Sequence, residues 1–261
     1  MRDFALPIAA DALREMTGLI NMPTLRMDYC SQAMIDGCAN YTDDPVIRKK
    51  AFDASASIDD LIDARLKALR QAPDKSIISV LNHAGVSKKS IAGTIKVIIG
   101  GGQNEPRDAM AGTAWALLTH PNQHQRIKDS KATYSEAFAE YIRWITPIGM
   151  TPRRVARTDV IYGIKFEPED SVFLMFSSAC RDEKYFSDPD KFNIGRDQTG
   201  AVPFGAGPHF CAGAAAARCM IAEVALPMLF DQLPGLKIAG DVAFTGWAFR
   251  GPVSLPVRWK T

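Results

Sequence analysis

No window of this sequence approaches the ~18 consecutive apolar residues of a membrane-spanning helix. Its start, Met1-Arg2-Asp3, lacks the apolar core and small-residue cleavage site of a signal peptide. An excess of one charge is also missing. With 31 basic and 29 acidic residues the formal net charge is +2, which gives no reason to expect nucleic acid or a strongly acidic substrate. The five cysteines, Cys30, Cys38, Cys180, Cys211 and Cys219, are odd in number and form no Cys-x-x-Cys pair. A disulfide framework or paired-cysteine zinc site is therefore not indicated, and a reducing compartment is. These absences predict a soluble, cytoplasmic protein with no membrane partner. The 47% hydrophobic content supplies the packed core of a globular chain.

Hydrophobic spacing predicts helices through most of residues 1–145. The stretch 54–69 places Ile58, Leu61, Ile62, Leu66 and Leu69 on one helical face. The longest helical reading is 87–120, capped by Ser87 and stopped at His120-Pro121. It carries Ile91, Ile95, Ile98 and Ile99, then Met110, Ala114 and Leu117, and is interrupted by Gly100-Gly101-Gly102 and Pro106. Ser135 opens a helix with Phe138, Ile142 and Ile145 on one face, ended by Pro147. Beyond it, β-branched and aromatic residues predict strands at 155–162 and 172–176. A Pro/Gly-rich loop follows over 187–213, then a helix over 214–230 with Ile221, Val224, Ala225 and Met228 buried. Short strands at 236–238 and 253–259 complete a fold that is mainly α with small β-sheets (α+β).

The chemically informative segment is Phe204-Gly205-Ala206-Gly207-Pro208-His209-Phe210-Cys211-Ala212-Gly213. Cys211 stands before a helix start, whose positive end favours a thiolate. Gly205, Gly207 and Gly213 allow unusual backbone shapes and close approach of a flat ligand. Backbone N–H groups near the sulfur would tune a bound metal, and Phe204 and Phe210 can keep water from it. His209 and Cys211 lie too close together to anchor a zinc site. The other four cysteines read as small buried residues.

This segment resembles the haem-binding signature of the cytochrome P450 superfamily, Phe-Gly-x-Gly-x-His-x-Cys-x-Gly, and every defining position matches. The resemblance implies that the cofactor is haem b. Cys211 is the axial iron ligand, and His209 hydrogen-bonds a propionate. Glu140 and Arg143 match the family's Glu-x-x-Arg motif. Asp188-Pro189-Asp190-Lys191-Phe192-Asn193-Ile194-Gly195-Arg196 resembles its meander, so Arg196 completes a structural Glu-Arg-Arg network. On residue type alone, Glu140 and Arg143 form an i,i+3 ion pair of the kind usually found solvated. Arg154 matches an arginine that pairs with a propionate, with Arg153 adjacent; without the resemblance either is a strand-edge surface charge.

The middle of the long helix departs from the family pattern. The sequence Gly101-Gly102-Gln103-Asn104-Glu105-Pro106-Arg107-Asp108 puts Asn104 at the usual acid position and Glu105 at the usual threonine. Pro106 should kink the helix, because it lacks an N–H and clashes one turn back. Glu105 then reads either as a general acid–base group, with Asn104 beside it, or as a side chain pointing to solvent.

The resemblance runs along essentially the whole chain, residues 1–261. It implies the C-terminal part of a single haem-thiolate monooxygenase domain, helical to about residue 150 and β-rich beyond. It also implies that the family's N-terminal portion is not included, so the haem pocket is partly open and haem is expected to bind weakly. The implied reaction inserts one oxygen atom from dioxygen into a small apolar organic substrate, with electrons from a ferredoxin-type donor. That donor would dock where Arg143, Arg196 and Arg218 offer basic groups, although the first two read better as structural. Other readings are a peroxide-driven peroxygenase using Glu105, and a haem-binding remnant without turnover. Pocket walls implied by resemblance are Val97, Gly101, Ile148, Gly149, Met150, Trp247, Ala248 and Phe249, each of which could equally be ordinary core.

Overall fold

A computed structural model describes residues 1–260. It is mainly helical with small sheets, and forms two compact units, Met1–Asp108 and Ala109–Thr261. The boundary between the units lies inside one helix.

The first unit contains α1 (Ala5–Thr17), α2 (Thr24–Cys38), α3 (Pro45–Leu69), α4 (Ile77–His83) and α5 (Lys88–Gly102), with the start of α6 (Asn104–Thr119). Local chemistry sets the ends. Asp44 caps α3 by accepting from the Val46 N–H, with Pro45 in the first turn. Ser76 and Ser87 cap α4 and α5 in the same way. Gly18 ends α1 in the left-handed region at φ +89°, and a side chain there would also strike Ser76. Leu13, Met22, Met27, Ile58, Ile62, Ile78, Ile91, Ile95 and Ile99 form a continuous core with almost no solvent contact. Helix α3 starts well before residue 54 because Asp44-Pro45 supplies a complete start signal.

The predicted 87–120 helix is two helices. The break falls at Gln103, next to Gly102, whose carbonyl is the one Pro106 cannot bond. The Arg107 N–H restores the ladder by donating to the Gln103 carbonyl at 3.3 Å.

In the second unit, α6 continues to Thr119 and, after His120, Pro121 opens α7 (Pro121–Lys128). Helix α8 (Tyr134–Trp144) starts one residue before the expected Ser135. Its N-cap is Thr133, in a reciprocal capping box with Glu136. Phe138 and Ile142 are buried, while Ile145 lies past the end of the helix and is partly accessible. Four two-stranded antiparallel sheets follow: β1 (Thr151–Arg154) with β4 (Ser171–Leu174), β2 (Asp159–Ile161) with β3 (Ile164–Phe166), β5 (Lys237–Ile238) with β8 (Val257–Arg258), and β6 (Ala243–Thr245) with β7 (Gly251–Ser254). The expected strand at 155–162 is thus the end of one sheet and one arm of a hairpin. Phe176 begins the short helix α9 (Phe176–Ala179) instead of ending a strand.

After the long loop, α10 (Ala214–Arg218) runs through a π-helical stretch (Cys219–Ala225) into α11 (Leu226–Gln232). This winding corrects the predicted burial. Val224 and Met228 are exposed, whereas Ile221, Ala222, Ala225 and Leu226 are buried. Turns closed by i→i+5 bonds hold more residues than the 3.6 assumed from the sequence, so the inward face shifts. Two cysteines also differ from expectation: Cys30 and Cys180 are buried, but Cys38 and Cys219 are exposed, and all five are free thiols.

Candidate functional site

Helix α8 presents Glu140 and Arg143 inward, both with 0% side-chain exposure. Arg143 Nε donates to Glu140 Oε2 at 2.8 Å and its Nη2 to Oε1 at 2.9 Å. The same guanidinium reaches the Cys180 carbonyl at 2.8 Å and the Pro189 carbonyl at 3.0 Å. It also lies 5.4 Å from the Phe186 ring centre. Arg196 Nε donates to Glu140 Oε1 at 3.2 Å, while its other nitrogens hold the Ser187, Asp188 and Lys191 carbonyls. A surface ion pair would contribute almost nothing, but this one is buried, multiply bonded and tied to backbone. The expected network of Glu140, Arg143 and Arg196 is therefore present as geometry.

Its reach exceeds the motif. Glu140 Oε1 also accepts from the Asn193 N–H at 2.9 Å, and Oε2 from Gln198 Nε2 at 2.9 Å. Helix α7 adds Gln123, whose Oε1 accepts from the Ile194 N–H at 3.1 Å. Trp144 Nε1 donates to the Asp190 carbonyl at 2.8 Å. Gln198 and Gln123 carry no motif, because an isolated amide side chain gives no local signal of a partner 50 or more positions away, and the Asn193 contact is made by backbone, which any residue supplies.

The segment carrying Cys211 folds back on itself. Gly205 N–H donates to the Val202 carbonyl at 2.9 Å, and Cys211 N–H to the Phe204 carbonyl at 2.9 Å. Gly205 and Gly207 hold φ of +71° and +66°, as expected of glycines in a tight loop. Gly213 is different: its φ is −85°. A Cβ on it would stand 3.8 Å from the Cys211 sulfur, in ordinary contact, so it needs neither special conformation nor extra room. Gly213 is the N-cap of α10, placing Cys211 two residues further out, with its carbonyl accepting from the Ala214 N–H at 3.2 Å.

Phe204 packs toward Phe138, Phe210 and the Arg218 guanidinium, which lies 4.8 Å from its ring centre. Phe210, Cys211 and His209 are exposed, so within this unit the two phenylalanines do not shield the sulfur. Cys211 is a soft donor on an open, glycine-shaped loop. Among the described residues no group of three or more His, Cys, Asp or Glu side chains could hold a metal ion. Such a single thiolate suits a metal whose remaining ligands arrive with it, as the macrocycle of haem supplies its own nitrogens.

Other predicted residues take the following places. Arg154 Nη1 pairs with Glu169 at 2.8 Å on the surface, and Arg153 folds onto the Thr151 hydroxyl and Pro152 carbonyl. Ile148 and Phe249 form an antiparallel bridge, and the Gly149 N–H donates to the Ala248 carbonyl at 2.7 Å. Met150 and Ala248 are buried and Trp247 is exposed. In the first unit Val97 and Gly101 are exposed on α5. Arg143 and Arg196 are too buried to greet a partner, with 0% and 7% of their side chains accessible, which leaves Arg218 alone of the three basic candidates exposed.

Glu105 does not point to solvent. Its Oε2 is buried without a hydrogen-bond partner, and burial pushes its carboxyl up to about 7, with Asp108 adding to the shift and Arg107 opposing it. Arg107 is held by Asp28 at 3.1 Å and Asp108 at 2.8 Å. Asn104 Nδ2 donates to Gln32 at 3.1 Å, leaving its Oδ1 buried and unpaired. No helix among the described residues is long and apolar enough to cross a membrane.

A family model for cytochrome P450 matches residues 131–231. Across 98% of this chain and 66% of its own length, the steroid C26-monooxygenase of Mycolicibacterium smegmatis is 27% identical. The vitamin D(3) 25-hydroxylase of Pseudonocardia autotrophica is 28% identical over 92% of this chain and 59% of its length. A myxobacterial cytochrome P450 in complex with myristic acid superposes with a TM-score of 0.88 at 26% identity, over 100% of this chain and 66% of that one. The chain thus spans about two thirds or less of the length of these relatives. The signature around Cys211, the buried Glu140 network and the likeness along the whole chain converge: residues 131–231 match the cytochrome P450 family, whose cofactor is haem b, and the chain as a whole shares the cytochrome P450 fold.

Proposed function

We propose that this chain carries the haem-thiolate centre of a monooxygenase, the C-terminal part of a single domain. It would insert one oxygen atom from dioxygen into a small apolar organic substrate, with electrons from a ferredoxin-type donor. The observation that carries the reading is an exposed, free Cys211 on a loop backed by a fully buried carboxylate–guanidinium network. In this reading Cys211 ligates the iron. His209 and, after releasing Glu169, Arg154 bind the propionates, while Phe204, Gly205 and Gly213 shape the face that receives the ring. When bound, the haem supplies the redox chemistry of oxygen activation, promoted by electron density from its thiolate ligand.

Burial raises the Glu105 carboxyl to about 7 and leaves its Oε2 without a partner, and Asn104 offers an unpaired oxygen one residue away. These two residues are assigned the acid–base work. A carboxyl that is half protonated near pH 7 also favours a second reading, in which the oxidant is peroxide and Glu105 moves its proton. The apolar substrate class is supported by the steroid and vitamin D named for the relatives. It is also supported by the apolar or small character of the residues proposed to meet the substrate, Ile148, Met150, Trp247, Ala248 and Phe249 in the second unit and Val97 and Gly101 in the first. Arg218 is the basic residue available to an electron donor.

The deciding experiment is the reduced carbon monoxide difference spectrum of the haem-loaded chain, with Cys211→Ser beside it. A strongly red-shifted Soret band, lost in the variant, is expected. A band typical of neutral ligation, or one unchanged by the substitution, would overturn the assignment. Glu105→Ala turnover with reductant and with peroxide then separates the two oxidants.

A further inference from the structure

The Glu140–Arg143–Arg196 network explains how residues 187–196 are held, but not how the next segment is. Arg196 spends its remaining nitrogens on the Ser187, Asp188 and Lys191 carbonyls, all upstream of itself. After Arg196 the backbone bonds are local: Thr199 N–H to Asp197, Ala201 N–H to the Gln198 carbonyl, Gly205 N–H to the Val202 carbonyl. Local turns fix shape but not position. The side chain that leaves this segment for the buried network is Gln198, whose Nε2 donates to Glu140 Oε2 at 2.9 Å. Oε2 otherwise receives only Arg143 Nε, so Gln198 supplies the second donor that a buried carboxylate oxygen calls for. The amide is committed to this contact, since its own Oε1 is buried without a partner. A second hold lies four residues on, where the Val202 backbone rests against the buried Cys180 thiol beside Arg143.

We propose that Gln198 is a positioning residue for Cys211. It anchors residues 197–203 to Glu140, and so fixes the Phe204 carbonyl to which the Cys211 N–H is bonded. Its role in iron ligation rests on the haem-thiolate reading above; the anchoring itself does not.

Two measurements on the full 261-residue chain test it. The first is amide hydrogen exchange at Gly205 and Cys211 without haem. Gln198→Leu, which removes the donor, and Gln198→Glu, which sets a second carboxylate against Glu140, should accelerate both amides roughly tenfold to hundredfold, the scale of losing a hydrogen bond to a charged group. The Asn193 amide, held by Glu140 directly, should keep its protection. Gln198→Lys, which restores a donor, should return Gly205 and Cys211 toward the parent rates, and carries the test should Gln198→Leu not fold. The second measurement is the fraction of haem-loaded protein with the red-shifted reduced carbon monoxide band, expected to fall in the Leu and Glu variants and recover in Lys. Unchanged exchange at Gly205 and Cys211, or equal loss of protection at Asn193, would overturn the proposal. A parent chain without the red-shifted band would instead sink the haem-thiolate reading, leaving the exchange rates to judge the anchor.

Discussion

Arg143 grips Glu140 by two parallel hydrogen bonds, Nε to Oε2 at 2.8 Å and Nη2 to Oε1 at 2.9 Å, and neither side chain reaches solvent. Removing one partner leaves the other charged and uncompensated in the interior, so Glu140→Ala is expected to cost about 3–5 kcal/mol. Arg143→Lys should also be costly, because an ammonium cannot make the paired bonds to Glu140 while holding the Cys180 and Pro189 carbonyls. Denaturant unfolding of both variants checks this. Losses below about 1 kcal/mol would mean that the pair behaves as if exposed.

Gly112 on α6 faces Tyr141 on α8 so closely that a Cβ would overlap the phenol. In an open helix glycine is about 0.5–1 kcal/mol worse than alanine. Here Gly112→Ala should instead destabilise by about 1–3 kcal/mol, since the buried Tyr141 has nowhere to retreat. Adding Tyr141→Ala should make the alanine at position 112 neutral or favourable. A thermal melt of the two single variants and the double variant measures the coupling.

How much of this was readable beforehand depended on how local the cause was. Ser87 and Pro121 act on their own turn of helix, and both ends lie where the sequence put them. The break at Gln103 follows from the missing N–H of Pro106, again a neighbour's effect. The strands were misplaced by a few residues because exposed two-stranded sheets impose little alternation on Asp159–Ile161 or Ile164–Phe166. Burial of Ile221 and Ala222 in place of Val224 and Met228 depends on π-helical winding, which no residue type announces. At the site, Cys211 and the Glu140–Arg143–Arg196 set were legible because their spacing matches a known motif. Gln198 and Asn193 were not, since each meets Glu140 only after the chain has folded back over more than fifty positions.

Glu105 makes stability depend on pH in a defined direction. Its carboxyl is raised from 4.5 to about 7 in the folded chain, chiefly by burial. Between those values the folded state holds a proton that the unfolded state has released, so stability is full below about 4.5 and falls as pH rises toward 7. Glu105→Gln keeps the shape without the charge and should remove this loss. The variant should exceed the parent by about 3 kcal/mol at pH 8 relative to the same comparison at pH 4. Parallel pH–stability curves would show that Glu105 ionises as a solvated carboxyl does.

His124 acts with the opposite sign, in the second unit. It is buried on α7 with Nε2 unpartnered and its ring 4.3 Å from Phe230. Burial pushes the imidazole from 6.5 down to about 4, with Lys128 contributing. The unfolded chain therefore binds a proton that the folded chain refuses. Stability is full above 6.5 and is lost as pH falls toward 4, by about 2–3 kcal/mol. His124→Phe should remove the acid-side loss, because an apolar ring can occupy the same place against Phe230 without ionising. Over pH 4.5–6.5 Glu105 and His124 pull in opposite directions, so the parent chain should show a shallow pH dependence that each substitution steepens with its own sign. Melting curves of the parent, the two single variants and the double variant from pH 4 to pH 8 resolve the two contributions. The pairing of Glu105 with His124 as opposed titrations fails if both substitutions tilt the curve the same way.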